Sequence, residues 1–391
     1  MDDKPHGSRD SSNQSNGENV GLQQRSTIRA LIQDFSPIWV TWSMNLGILS
    51  TLMHTLPYQF SGLRTIAAVL YVADLVVFIL CCTFMSLRFI VHGQTAWNEI
   101  TNDVNELCFM ACFPISFMTL TGGTALIVST STWGGYAFTV VSYVMWWIVV
   151  VWCMVFGVGI YVILTLKNLT ESRNLTLAII LPAVATSTAA VEGGIVSVYG
   201  NGITARMAVP AIIVGFMLVG IGFFLGMTIL ALFLNRILAN SWFDGVKRPT
   251  LMMLLGPTCQ STAALLILSM AASMHFPEYN KGTFLHETTA TALHGACVLL
   301  ALMVLGLGIF WGLWGVYGIL DAVVKGEAKW TPAWYSSLFP TGTLNTALTL
   351  FAEEFDSPAF RVLSAGLLIL LTINGIVNAA TPFVPLPSDK Y

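Results

Sequence analysis

Long apolar runs alternate with short polar segments from Pro37 almost to the C-terminus. A helix that crosses the hydrocarbon core of a membrane needs about 20 mostly apolar residues. Runs of this kind recur ten times, which predicts an all-α integral membrane protein with ten transmembrane helices. We place these helices at 36–55, 65–88, 107–129, 137–165, 175–198, 207–236, 250–273, 288–319, 334–352 and 361–381.

The Lys and Arg residues are distributed unequally between the two ends of the predicted helices. If the N-terminus lies inside, 13 of the 17 fall on the inner side and four on the outer side. An excess of positive charge marks the cytoplasmic side, so both termini are predicted to be cytoplasmic. The predicted domains are a polar, disordered tail at 1–34, a transport domain at 35–382 and a short tail at 383–391.

Every odd-numbered predicted helix contains a proline. These are Pro37, Pro114, Pro182, Pro257 and Pro340. A proline removes a backbone donor and kinks a helix, which is tolerated at membrane depth where protein or water surrounds it. The odd helices are also rich in small and hydroxyl residues, whereas the even ones are bulkier. We therefore predict five helical hairpins, with an inner ring of Pro-kinked odd helices around a pore and the even helices facing lipid.

Composition excludes several classes of function. Hydrophobic residues make up 55% of the chain and charged residues 9%, and the net charge is -3 without a clustered basic face, so nucleic-acid binding is excluded. The seven cysteines lie in apolar runs and are interpreted as packing residues, so neither a metal nor a cofactor is expected. The common catalytic motifs are missing and the inner loops are short, which disfavours an enzyme and a receptor.

Three stretches carry a resemblance to a known family. They are FSPIW at 35–39 with MNLGI at 44–48, GPTCQS at 256–261, and WYSSLFPTGT at 334–343. On these residues the chain, from Phe35 to about Thr381, resembles the tellurite-resistance/dicarboxylate transporter family. That family includes the slow anion channels of plant guard cells and fungal malate and sulfite carriers.

Within that family, the Gly-Pro-x-x-Gln and Phe-Pro-x-Gly-Thr motifs are similar to the fungal sulfite exporters, whereas malate carriers tend to lack them. The resemblance implies a fungal plasma-membrane homotrimer in which each subunit has its own pore. It implies that Phe339 closes this pore, and that the substrate is sulfite or hydrogen sulfite, with malate or another C4-dicarboxylate as the alternative. Asn45 departs from the glycine or small residue that many members have in the opening helix.

The middle of the predicted helices contains neither Lys nor Arg, so an anion would be held by neutral donors. Backbone amides freed at the proline breaks would assist them. For each donor the alternative is a hydrogen bond between helices. The candidates along the substrate pathway are Asn45, Gln260, Ser261, Thr262, Thr341, Thr343 and Asn345.

Two carboxylic acids fall within predicted helices, where an ionised group is costly and often functional. A fixed negative charge would repel an anion. Glu192 is therefore predicted either to be protonated or to face an outer vestibule and couple proton movement to transport, with a neutral, hydrogen-bonded acid as the alternative. Asp74, on an even helix, is predicted to bind neighbouring helices or a subunit interface.

Overall fold

The computed structural model describes residues 29, 31–170 and 175–381. Over these residues the protein is all-helical, and the only extended pairing is an isolated bridge between Lys281 and Leu285. This confirms the predicted all-α class. Most of the predicted N-terminal tail and the whole predicted C-terminal tail lie outside the described residues.

Ten helical segments, numbered here α1 to α10, follow one another along the described chain. Each odd-numbered segment contains a 3-10 or a π-helical stretch, whereas the even-numbered segments are α-helical throughout. The exception is α2, which has a kink at the non-helical residue His92. The odd segments are α1 (Pro37–Val40 as a 3-10 turn, then Thr41–Thr55), α3 (Val104–Val128), α5 (Leu177–Tyr199), α7 (Gly245–Tyr279) and α9 (Pro332–Ser337 as a 3-10 turn, then Leu338–Glu354). The even segments are α2 (Leu63–Asn102), α4 (Gly135–Leu166), α6 (Ala205–Asn240), α8 (Glu287–Val324) and α10 (Pro358–Ala380).

Eight of these segments are long and apolar enough to cross a membrane. The chain is therefore a multi-pass membrane protein. The other two, α1 and α9, are the segments in which a short α-helix follows a 3-10 turn. The count of ten spans thus stays a prediction.

Odd and even helices differ sharply in burial. All of the most apolar stretch of α5 and of α7 is buried, and 89% of that of α3, against 17–44% for α2, α4, α6, α8 and α10. The α-helical parts of α1 and α9 are also mostly buried. The even helices expose large apolar side chains such as Val151, Phe224 and Leu313, which suits contact with lipid.

The odd helices contact one another in a closed order. α1 packs on α3, α3 on α5, α5 on α7, α7 on α9, and α9 back on α1. Each odd helix also packs on the even helix that follows it in the chain. Small residues permit these close approaches: a Cβ on Gly342 of α9, for example, would overlap the side chain of Ile48 on α1.

The five prolines predicted to kink the odd helices lie at the starts of helical segments rather than at their centres; the odd segments also contain Pro249, Pro277 and Pro332. In α5 and α7 the proline is the second residue of the α-helix that follows a 3-10 segment. Pro340 is the third residue after the 3-10 turn of α9, Pro114 is the third residue after a break in α3, and Pro37 begins the 3-10 turn of α1. A proline in a first turn costs little because its missing N–H would have no helical partner there.

Two buried arginines tie loops to helices at the N-terminal end of the ring. Arg88 of α2 bonds to Glu99 at 2.8 Å and Glu106 at 3.4 Å, and also donates to the carbonyl of Phe35. Arg248 of α7 pairs with Asp321 and with Glu327 in the same way. Each of these cations is thus neutralised by two carboxylates.

Candidate functional site

A small cavity lies inside the ring, near the N-terminal ends of the odd helices. Its volume is ≈ 20 Å³, and every odd helix contributes to its wall. We call it the proximal cavity. It is lined by Thr41 and Met44 of α1, Phe109, Cys112 and Ile115 of α3, Ile180, Leu181 and Val184 of α5, Met253 and Gly256 of α7, and Ser336, Phe339 and Pro340 of α9.

A second cavity, of ≈ 30 Å³, lies further along the same five helices. We call it the distal cavity. Its wall is richer in hydroxyl groups and has one carboxylate, that of Glu353. The lining residues are Thr51, Thr55, Leu126, Val191, Ile195, Tyr199, Ile267, Thr346, Thr349, Leu350 and Glu353.

Helical spacing identifies the side chains between the two cavities. Residues three or four apart share a helix face, so a position that continues both linings must lie on the axis. Several positions satisfy this spacing, and from them we take one on each odd helix: Ile48, Gly122, Thr188, Gln260 and Thr343. We call these five the axial constriction.

Three predicted site residues therefore lie at or beside the axis. Gln260 and Thr343 belong to the axial constriction, and Phe339, which is 3% exposed, lines the proximal cavity one turn before Thr343. The Thr343 hydroxyl donates to the carbonyl of Pro340 at 2.7 Å. Within the described chain, the Gln260 amide has no hydrogen-bond partner, so its donors remain available.

Other predicted pathway residues face elsewhere. The Asn45 amide donates to the carbonyl of Tyr335 at 3.1 Å, and Asn45 lines a separate cavity of ≈ 290 Å³ between α1, α2, α9 and α10. Thr262 faces α8, because its hydroxyl lies 3.5 Å from the carbonyl of Ala301. Neither residue meets the proximal or the distal cavity.

The three remaining candidates, Ser261, Thr341 and Asn345, line neither the proximal nor the distal cavity. Ser261 meets Ser187 of α5, with 3.2 Å between the two hydroxyl oxygens. Thr341 donates to the carbonyl of Ser337 at 2.7 Å. Asn345 is fully buried, and neither atom of its amide has a partner among the described residues.

The two acids within helices have different surroundings. Glu192 is 7% exposed, and its Oε2 atom has no hydrogen-bond partner in the described part of the chain. It contacts Gly122, since a Cβ there would overlap the Glu192 carboxyl group, which places this acid beside the axial constriction. Asp74 instead accepts hydrogen bonds from Ser43 of α1 and from Thr119 of α3, the latter at 2.8 Å.

A larger vestibule, which sequence reasoning missed, opens beside the proximal cavity. Its volume is ≈ 750 Å³, and it shares Phe109, Met253 and Ser336 with the wall of that cavity. The starts of all five odd helices line it, at Ile38, Val104, Leu177, Asp244 and Ala333. Helix N-termini carry partial positive charge, so their convergence favours an anion in the vestibule.

The charged lining of the vestibule comes from four side chains. Asp103 caps α3 by accepting a hydrogen bond from the Glu106 amide at 2.9 Å. Lys247 lies 3.8 Å from Asp244, and Arg236 of α6 is the fourth. In the sequence, Arg236 was used only as one of the positive charges that orient the protein in the membrane. Nothing in the local sequence shows that the end of α6 lines the vestibule.

Comparison with known proteins identifies the class. The family described as "Voltage-dependent anion channel" matches residues 34–381, which is most of the chain. The chain belongs to this family, and the resemblance to the slow anion channel and dicarboxylate transporter family is confirmed. It is an anion transporter of that family rather than a member of an enzyme family.

Individual members of known function share about a quarter or less of their residues with this chain. The chain is 26% identical to a sulfite efflux pump, SSU1, of Arthroderma benhamiae, over 87% of this chain and 88% of the relative. An SSU1 of Trichophyton rubrum matches to the same extent. A malic acid transport protein of Schizosaccharomyces pombe is 22% identical over 92% of this chain and 78% of the relative.

Proposed function

We propose that the protein exports sulfite or hydrogen sulfite across the plasma membrane through a pore in each subunit. The pathway runs from the vestibule through the proximal cavity, past Phe339 and the axial constriction, to the distal cavity. The observation that carries this proposal is that two successive cavities are lined by all five odd helices. The ring of contacts between those helices supports it.

The proposed topology has ten spans in five hairpins, with both termini in the cytoplasm. The two short segments, α1 and α9, cross as partners of α2 and α10, on which they pack. With the N-terminus inside, all five odd helices start at the cytoplasmic face, so the vestibule is the cytoplasmic entrance. An exporter needs its first anion site on this side.

Phe339 is proposed to act as the gate. A cavity needs about 10–15 Å³ of accessible volume to hold one water molecule, so the proximal cavity holds roughly one. An oxyanion with even a partial hydration shell does not fit, which makes this arrangement a closed state. Rotation of the Phe339 ring would widen the cavity beside the Gln260 donors.

The neutral lining suits a transported anion. Gln260 supplies N–H donors at the constriction, Thr188 and Thr343 supply hydroxyls, and the helix N-termini supply positive potential behind them. Such sites hold an anion weakly enough to release it. In this proposal Asn45 and Thr262 support the helices that form the wall.

Glu192 is proposed to carry a proton while the anion passes. An unpaired carboxylate beside the constriction would be costly at membrane depth and would repel the anion. A protonated acid removes that repulsion and can exchange its proton with water in the pathway. Transport would then respond to a proton gradient.

Sulfite is preferred over malate as substrate. The 26% identity to the sulfite efflux pumps of Arthroderma benhamiae and Trichophyton rubrum exceeds the 22% identity to the malic acid transport proteins, although a sulfite efflux pump of Candida albicans matches at 21%. The GPTCQS and FPTGT motifs also favour sulfite, and we propose that Gln260 of the first motif meets the anion at the axial constriction. A C4-dicarboxylate such as malate is the alternative.

A homotrimer is proposed from the family resemblance. The even helices leave wide apolar surfaces exposed, which is compatible with either lipid or neighbouring subunits. Native mass spectrometry from detergent tests the assembly: a trimer is expected, and a monomer at all concentrations contradicts it.

The deciding experiment uses the purified protein in liposomes. Flux is measured under equal gradients of sulfite, malate and chloride, at fixed pH and membrane potential. Saturable sulfite flux that exceeds malate flux supports the proposal, whereas dominant malate flux moves the assignment to the dicarboxylate alternative. If protein-containing liposomes pass none of the anions faster than empty ones, the pore proposal is refuted.

A further inference from the structure

Arg236 differs from the two buried arginines at the same end of the ring. Arg88 and Arg248 each bind two carboxylates. Among the described residues, Arg236 has no carboxylate within ion-pair distance, and its Nε atom has no hydrogen-bond partner. Its one side-chain hydrogen bond goes to the carbonyl of Ser241, at 3.3 Å. In the described part of the chain, its positive charge is therefore not taken up by a direct ion pair.

The guanidinium group is nevertheless held in place. Its central carbon lies 3.7 Å from the centroid of the Phe243 ring, in a cation–π contact. Phe243 is buried against Phe233 of α6, with ring centroids 6.5 Å apart. The cation is thus fixed over a rigid aromatic surface, which lowers the entropy cost of binding a ligand.

The position of Arg236 connects it to the pathway. Arg236 and Phe243 both line the vestibule, whose wall continues into that of the proximal cavity through Met253 and Ser336. Of the acids in the vestibule, Asp103 caps α3, and Asp244 lies 3.8 Å from Lys247 and interacts with Arg236 only at longer range. An anion that enters the vestibule meets the Arg236 guanidinium, on which Asp244 acts only from beyond ion-pair distance, and the positive ends of five helices.

We infer that Arg236 is the anion-recognition residue of the vestibule, where a small oxyanion binds by charge-assisted hydrogen bonds before it passes Phe339. This inference rests on the proposed function, because it assigns the first substrate site on the same pathway. Arginine suits an oxyanion because its planar donors match two oxygens at once. The site lies outside the axial constriction, so it governs affinity from the vestibule side and leaves passage through the constriction unaffected.

The test compares Arg236→Gln with Arg236→Lys and a control, Lys329→Gln. Lys329 is an exposed cation at the same end of the protein that does not line the vestibule. Sulfite flux is measured in excised membrane patches, so that the anion is supplied to one face at a time. Arg236→Gln should raise the half-saturating sulfite concentration about tenfold from the vestibule face only, because a hydrogen bond to a charged group contributes on this scale.

Three further readouts separate recognition from a structural role. Maximal flux, and half-saturation from the opposite face, should stay within about twofold of the wild type. Arg236→Lys should recover most of the affinity, and Lys329→Gln should match the wild type. Raising the salt concentration should weaken wild-type affinity from the vestibule face more than that of Arg236→Gln, because salt screens the attraction. Equal half-saturation in wild type and Arg236→Gln overturns the inference.

A binding measurement makes the inference independent of transport. Sulfite that binds the folded protein raises its melting temperature in detergent. The sulfite concentration that produces half of this rise should be about tenfold higher in Arg236→Gln. If the wild type carries no flux but this difference persists, the proposed function fails and the vestibule site stands. If sulfite stabilises both proteins at equal concentrations, the site is refuted whatever the flux.

Discussion

Replacement of Phe339 by alanine tests the gate directly. Phe339 is almost fully buried, and it lines a cavity of ≈ 20 Å³ one helical turn before Thr343. Removing a buried Phe side chain from a core costs about 3–5 kcal/mol when the space stays empty. Here the space borders the proximal cavity, which is about the size of a water molecule, so water can enter it, and we expect a loss near the lower end, about 3 kcal/mol.

The same change should increase transport. If closing the ring raises the barrier to passage by at least about 1.4 kcal/mol, Phe339→Ala should raise sulfite flux about tenfold or more. The assay is sulfite efflux from liposomes that contain equal amounts of folded protein. Phe339→Leu keeps an apolar but smaller group and should give an intermediate flux.

Phe351 provides a matched control on the same helix. It is also fully buried, but its ring packs against Phe355 at 5.4 Å and Phe360 at 5.6 Å, away from both axial cavities. Phe351→Ala should lower the melting temperature at least as much as Phe339→Ala and leave flux unchanged. The gate argument is wrong if the two variants raise flux equally, or if Phe339→Ala conducts like the wild type.

Three other changes probe the pathway and its support. Gln260→Leu removes the donors at the axial constriction and should lower sulfite flux about tenfold at equal amounts of protein. Thr262→Val, on another face of the same helix, should keep sulfite flux within about twofold of the wild type. Equal effects of the two changes would place the pathway elsewhere. Glu192→Gln mimics a protonated acid, so sulfite flux at fixed pH should be retained while the response of that flux to an imposed pH gradient is lost. An unchanged response to the gradient would exclude this acid from proton coupling. Arg88→Met leaves two partly exposed carboxylates unpaired and should destabilise the protein by about 2 kcal/mol, lowering its melting temperature in detergent, while an unchanged melting temperature would show that this network contributes nothing.

The inner helices could be identified from the sequence alone. Proline and small residues on alternate apolar runs predicted which helices lie inside, and α3, α5 and α7 are indeed almost wholly buried. This works because proline and polar groups cannot face hydrocarbon without cost. The predicted span 65–88 falls within the first part of α2, which breaks at the non-helical residue His92; a second helical stretch then continues to Asn102, in a region too polar to be counted as membrane-spanning from the sequence.

The sequence by itself determined the membrane class, the all-α fold and the family, since these depend on composition, run length and local motifs. Only the tertiary structure decided which polar residues meet the axis. Gln260 and Thr262 are two residues apart on one buried helix, yet the Thr262 hydroxyl meets α8 at Ala301, whereas helical spacing places Gln260 on the face that lines the proximal cavity at Gly256. A helix buried on all sides has no polar face to reveal its orientation, so packing against five neighbours sets it. The same holds for Arg236, whose place in the vestibule depends on where α6 ends relative to helices distant in the chain.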